Sequence, residues 1–315
     1  MKQKYYPLYQ NKFPHTVGSN KITKEGFNFS PAIYEDDERK EIYFVGNYDG
    51  YASVFKIEYD KEAKEWSESQ KIIQGEKSEV FESFHLLQLS LTTSEDGKVA
   101  FVTKSGGTDA IHIYSIEEEE VIETFKWDNI ISIKSPSFSN DDGKIVFNGM
   151  DQKGYSDLFI IDITSKELVR ITNDYYDDKD PVFSKHDETI VFASDRTEGF
   201  FEQSYNLFEI DLETHDIEYI TYANANFGTP HFTPDFSDLY FTSDYDGVYN
   251  IWKLEREKET PTGMTLYSNF VTSIYDFDFF DNSKIVTSAF QEFSLQFYEF
   301  DLDRCTRFNK EVCQL

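Results

Sequence analysis

DPVFSKHDETIVFASDRTEG, Asp180–Gly199, decides the fold of this 315-residue chain. Pro181 excludes a helix interior and suits the first residues of a strand. Lys185–Thr189 is a polar turn. Ile190-Val191-Phe192 is a short, wholly apolar run between polar residues, the pattern of a strand covered on both faces. Ser194-Asp195-Arg196 then leads into a loop.

The apolar triplet recurs as Ile42-Tyr43-Phe44, Val99-Ala100-Phe101, Ile145-Val146-Phe147, Leu239-Tyr240-Phe241 and Ile285-Val286-Thr287, with starts 57, 46, 45, 49 and 46 residues apart. Six copies of a unit just under 50 residues long make a repeat architecture. Before each clear triplet stands a short strand: SPSFS (Ser135–Ser139), DPVFS (Asp180–Ser184) or TPHFT (Thr229–Thr233). Polar turns such as SEDGK (Ser94–Lys98) and NDDGK (Asn140–Lys144) join the two, and Asp-Gly favours a hairpin because Gly adopts positive φ cheaply. A loop follows, then a third strand: DLFIIDI (Asp157–Ile163), NLFEIDL (Asn206–Leu212) or NIWKLE (Asn250–Glu255). The fourth reads ELVRIT (Glu167–Thr172) or DIEYIT (Asp216–Thr221). Four strands joined by hairpins, written six times, predict an all-β, six-bladed β-propeller. The aromatic content of 17% agrees with strands. The acidic run Glu117–Glu120 reads as a solvated turn in the second blade.

The chain resembles the TolB-like six-bladed propellers built from PD40 (WD40-like) repeats. The pattern P-x-F-S-P-D-G-K-x-I-x-F-x-S-D-R is matched most closely from Asp180 to Thr221, then by TPHFTPDFSDLYFTSDYDGVYNIWKL and by SPSFSNDDGKIVFNGMDQKGYSDLFIIDI. The sixth copy, DFDFFDNSKIVTSAFQEFSLQFYEFDL, has lost the Pro, the Gly and the Ser-Asp step. The likeness covers roughly residues 27–303; the propeller is expected over 27–315, after an N-terminal segment, 1–26, that is one candidate for closing the ring. KYYPLY (Lys4–Tyr9) and the stretch after Asp303 are both candidates for the closing strand. The family includes a periplasmic partner of an outer-membrane lipoprotein, caps on serine peptidases and parts of larger envelope proteins. The resemblance therefore implies a periplasmic or extracellular domain, excised or mature; the cytoplasm is the alternative.

The formal charge of −29 argues against nucleic acid, whose phosphates it repels. No apolar run approaches the ~20 residues of a membrane-spanning helix, so no direct membrane insertion is expected. G-x-S-x-G and H-E-x-x-H are absent. The calcium-loop fragments Asn47–Gly50 and Asp244–Gly247 lack the closing Glu, since Lys56 and Lys253 stand there. Ser105–Asp109 is Gly-rich but lacks what a phosphate cradle needs. Cys305 and Cys313 fit either a short-loop disulfide or two free thiols.

The expected function is a non-enzymatic module, a monomeric domain that presents a channel mouth and loops to a protein or peptide. Its candidate binding residues are Tyr175, Tyr176, Asp180, Arg196, Phe200, Phe201, Tyr205, His231 and Tyr245, with Phe227 among the loop aromatics. Asp177, Asp178 and Asp180 are a candidate calcium site, because clustered carboxylates suit a hard cation. The alternatives are a channel enzyme acting on a sugar or small metabolite with a divalent cation, and a propeller cap of a peptidase.

Overall fold

The computed structural model describes residues 19–75, 81–84, 91–197, 204–257, 260–270, 272–291 and 293–302. Every named element is a strand. After β1 (Ser19–Lys21), the first blade holds β2 (Phe27–Glu35), β3 (Lys40–Asn47), β4 (Ala52–Asp60), β5 (Glu65–Trp66) and β6 (Gln70–Gln74). The second holds β7 (Thr92–Thr93), β8 (Lys98–Ser105), β9 (Thr108–Ser115) and β10 (Glu120–Lys126). The third holds β11 (Ile130–Phe138), β12 (Lys144–Asp151), β13 (Ser156–Asp162) and β14 (Leu168–Arg170). The fourth holds β15 (Asp178–Phe183), β16 (Thr189–Ser194), β17 (Asn206–Asp211) and β18 (Ile217–Tyr219). The fifth holds β19 (Phe227–Phe232), β20 (Leu239–Ser243), β21 (Asn250–Glu257) and β22 (Thr260–Leu266). The sixth holds β23 (Ile274–Asp281), β24 (Lys284–Gln291) and β25 (Ser294–Asp301).

Within each blade the strands run antiparallel in chain order, except that β5 and β6 both pair with β4 in the first. The six first strands pack in a closed cycle: β2 on β7, β7 on β11, β11 on β15, β15 on β19, β19 on β23, and β23 back on β2. That cycle is the ring of a six-bladed propeller. The sixth blade takes its outer strand from the other end of the chain, through the pairs Ser19↔Phe300, Asn20↔Glu299 and Lys21↔Tyr298. Lys4–Tyr9 and the residues after Asp303, Cys305 and Cys313 included, lie outside the described residues.

The predicted triplets are the second strands, each covered by both neighbouring blades. Phe44, Phe147, Phe192 and Phe241 are fully buried, and Phe101 is 1% exposed. Thr287 replaces the aromatic in the sixth copy and is equally buried, its hydroxyl donating to Asp276 O at 2.8 Å. The third strands repeat one device. Asn206 Oδ1 accepts from the hydroxyl of Thr221, and Asn250 Oδ1 from that of Ser268, so each amide clamps the chain leaving its fourth strand. Asp157 takes this position in the third blade. The recurring "NLF/NIW/DLF" phrase is therefore structural.

The turns between first and second strands also link blades. Asp142 and Asp187 adopt φ of 56° and 58° where the second blade uses Gly97 at 84°. Their carboxylates accept backbone N–H bonds from the preceding blade: Asp142 from Asp96 at 2.9 Å, Asp187 from Asn140 at 3.0 Å. A contact that Gly would not make thus offsets the left-handed strain.

Candidate functional site at the channel and its loop face

In an up-and-down blade, the loop between strands two and three and the connection to the next blade lie on the same edge. That edge gathers the exposed aromatics. Tyr175 and Tyr222 lie in connections and are 86% and 56% exposed, and Tyr245, in a second-to-third loop, is 54% exposed. Tyr51 and Phe293 occupy equivalent loops of the first and sixth blades. Phe227 departs from the expectation: it opens β19 and is 1% exposed, because its ring packs edge-on against Phe241. Phe200 and Phe201 lie outside the described residues.

Two acidic regions lie beneath this face. In the first, one oxygen each from Asp157, Asp174 and Asp178 falls within 4.8 Å of the others. Such a donor set would suit a hard cation, but two arginines occupy it. Arg196 bonds both oxygens of Asp178 at 2.7 Å and Asp174 at 3.1 Å. Its guanidinium lies 5.1, 5.3 and 5.8 Å from the ring centres of Tyr176, Phe192 and Phe208. Arg170 pairs with one oxygen of Asp157 through Nη2. Burial, outweighing the pull of Arg196, pushes the Asp178 carboxyl up to about 6. These residues do not fit a metal; they are an internal ion-pair network that anchors the connection to the fourth blade.

Asp177, Asp178 and Asp180, expected together, enter three separate networks. Asp177 accepts the phenol hydrogen of Tyr205 at 2.5 Å. Burial and this carboxylate hold the Tyr205 phenol above its ordinary range. Asp178 belongs to Arg196. Asp180 faces the channel.

The channel side chains owe their positions to a bulge. Ser30, Ser135, Asp180 and Thr229 each precede a Pro and adopt φ of 49°, 49°, 52° and 41°. Strand register shifts at each of them. Left-handed φ is costly for such residues, and the position before Pro is already restricted, so the bulge needs support from neighbouring blades. Asp180 supplies it, accepting from Ser135 Oγ at 2.7 Å and from Thr229 N at 3.2 Å. One carboxylate thus spans three first strands. On the fifth and sixth blades, His231 Nε2 lies 3.6 Å from Asp276 Oδ1, and its ring centre is 4.7 Å from that of Phe277. Asp278 accepts from Ile33 N at 2.7 Å and Phe279 N at 2.8 Å. Burial raises its pKa above the usual carboxylate range despite His231. Burial pulls the His231 imidazole down, and the carboxylates of Asp276, Asp278 and Asp180 more than offset it, leaving it raised. Among the described residues, no Lys or Arg pairs with Asp180, Asp276 or Asp278. Lys179, beside Asp180 in sequence, instead lays its ammonium 3.4 Å from the ring centre of Tyr205.

Of the expected residues, Asp180 and His231 come together in the channel. Tyr175, Tyr176 and Tyr245 lie on the loop face, Tyr205 joins the mouth, and Arg196 is mostly buried. The sequence reading missed Asp276 and Asp278. Their signal was there: aligning DFDFF with DPVFS and TPHFT puts Asp276 at the position before Pro and Asp278 at that of His231.

No protein-family model and no curated protein matches the chain. Solved structures do. TolB from Acinetobacter baumannii is 14% identical with a TM-score of 0.53, over 79% of this chain and 59% of that one. Oligogalacturonate lyase from Vibrio parahaemolyticus is 13% identical with a TM-score of 0.56, over 92% and 95%. The β-propeller domain of the Trilobed protease from Pyrococcus furiosus is 14% identical with a TM-score of 0.54, over 89% and 96%. The chain is similar to these propellers in fold. They come from a lyase, a protease and TolB, so the fold does not choose a function.

Proposed function

We propose that this chain is a binding module without chemistry of its own. It receives a basic segment of a partner protein at the loop face, and a Lys or Arg side chain reaches into the channel. The observation that supports this most is the set of three channel carboxylates, Asp180, Asp276 and Asp278, balanced within the chain by His231 alone among the described residues. A desolvated carboxylate gains from a cationic partner, and the steering field of a −29 protein favours a basic one. The exposed tyrosines around the mouth supply the apolar contact typical of binding hot spots. By the resemblance to TolB-like propellers, this binding takes place in the periplasm or outside the cell. A chemical role is the second reading. It rests on the His231–Asp276 proximity, a base beside a carboxylate in a channel.

Selection of random displayed peptides on the purified propeller tests the proposal. Enriched peptides should carry Lys or Arg next to an aromatic or aliphatic residue. The Asp276→Asn variant should retain them at least tenfold more weakly. Enrichment of neutral or acidic peptides, or equal retention by the variant, would overturn it.

A further inference from the structure

A groove of about 560 Å³ opens on the third blade, between its second-to-third loop and the connection that enters it from the second blade, and shares no lining residue with the channel carboxylates. Its floor is Phe159 and Leu168, and its walls carry Asp128, Gln152, Lys153 and Arg170. The floor belongs to a run of near-parallel rings: Trp127 lies 5.4 Å from Phe147, and Phe147 5.7 Å from Phe159. Arg170 is fixed above it. Its guanidinium carbon is 5.7 Å from the Phe159 ring centre, Nε donates to Thr172 O at 3.0 Å, and Nη2 is held by Asp157. Gln152 joins the two walls by donating to Asp128 O at 3.4 Å.

The charges on these walls are opposite, yet they do not meet. The Asp151 carboxylate, which also lines the groove, uses one oxygen, Oδ1, on its own loop, accepting from Lys153 N and Tyr155 N at 2.8 and 3.2 Å. Neither the Asp128 carboxylate nor the Lys153 ammonium has an ion-pair partner among the described residues. A volume of 560 Å³ suits a small molecule. An apolar floor flanked by the carboxylates of Asp128 and Asp151, by the free Lys153 ammonium and by the Asp157-paired Arg170 is complementary to a zwitterion with an apolar side chain. We propose that this groove binds an apolar α-amino acid or a short peptide with free ends. The ligand's ammonium faces Asp128, its carboxylate faces Lys153 and Arg170, and its side chain lies against Phe159 and Leu168. This site is independent of the channel.

Calorimetric titration with leucine, leucyl-leucine, N-acetyl-leucine and leucinamide tests it. The two zwitterions should bind. The acetylated and amidated forms, each lacking one charge, should bind at least tenfold more weakly. Asp128→Asn should abolish the discrimination against N-acetyl-leucine, and Lys153→Met should shrink that against leucinamide. Both positions are exposed loop residues, so thermal melts should match the parent. Three results would each overturn the proposal: no binding of either zwitterion at millimolar concentration, equal binding of all four probes, or variants that discriminate as the parent does.

Discussion

The two acidic regions of this propeller touch in sequence at Asp178 and Asp180 and differ in how their charge is met. Asp157, Asp174 and Asp178 are closed by Arg170 and Arg196, and Asp178 is fully buried. Asp180, Asp276 and Asp278 have, among the described residues, only a histidine as cationic neighbour. The difference teaches that an Asp-rich stretch does not declare its role by composition. Asp178 and Asp180 are two residues apart on one strand; one is a structural counter-ion and the other lines a channel.

The largest effect should come from opening the closed region. Arg196→Met would leave Asp178 buried without its partner, and loss of one member of a buried pair costs about 3–5 kcal/mol. Urea unfolding should show this, and adding Asp178→Asn should restore most of it. If Arg196→Met melts like the parent, the closed region is not what anchors the fourth blade.

Acid should sharpen the contrast next. The Asp178 carboxyl is pushed up to about 6 from 3.8, so folded protein holds that proton more tightly than the unfolded chain. Its stabilising contribution is present below pH 3.8 and lost as pH rises through 6. His112, buried and neutral between Thr103 and Thr124, is pulled down to about 4 from 6.5 by burial. Its contribution has the opposite sign, present above 6.5 and lost as pH falls toward 4. A shift of that size corresponds to roughly 3 kcal/mol. His112→Gln should therefore flatten the fall in stability between pH 6.5 and 4, and Asp178→Asn should steepen it. Stability curves across that range check both signs.

Changes in the open region should separate stability from binding. Asp276→Asn removes a charge that has no Lys or Arg partner among the described residues, so unfolding should move by less than about 1 kcal/mol. Binding of a basic peptide should fall at least tenfold. Tyr245→Ser should have the smallest effect, a few-fold loss of binding with no change in melting, because its ring is half exposed against Trp252. A large loss of stability in either variant would erase the distinction between the two regions.

The blades were legible because their signals are local. The apolar triplets, the Asp-Gly turns and the residues before Pro are set by strand burial and turn geometry. The boundaries of β11 were less so: Ile130–Lys134 precede the recognisable SPSFS, and their three isoleucines favour a strand without marking it as the inner one. The partners of the acids were not legible at all. Whether Asp178 meets Arg196 or a cation depends on a side chain 18 residues away across a loop. Asp276 and Asp278 enter the channel only because the ring brings the sixth blade against the first and fifth.

The most direct test is the titration of His231 by NMR, assigned with a His231→Gln variant, with and without a lysine heptapeptide. The imidazole should titrate above 6.5 in the free protein and fall when the peptide's ammonium shares the three carboxylates. A midpoint that does not move on binding, or a peptide that binds the Asp276→Asn variant as well as the parent, would contradict this.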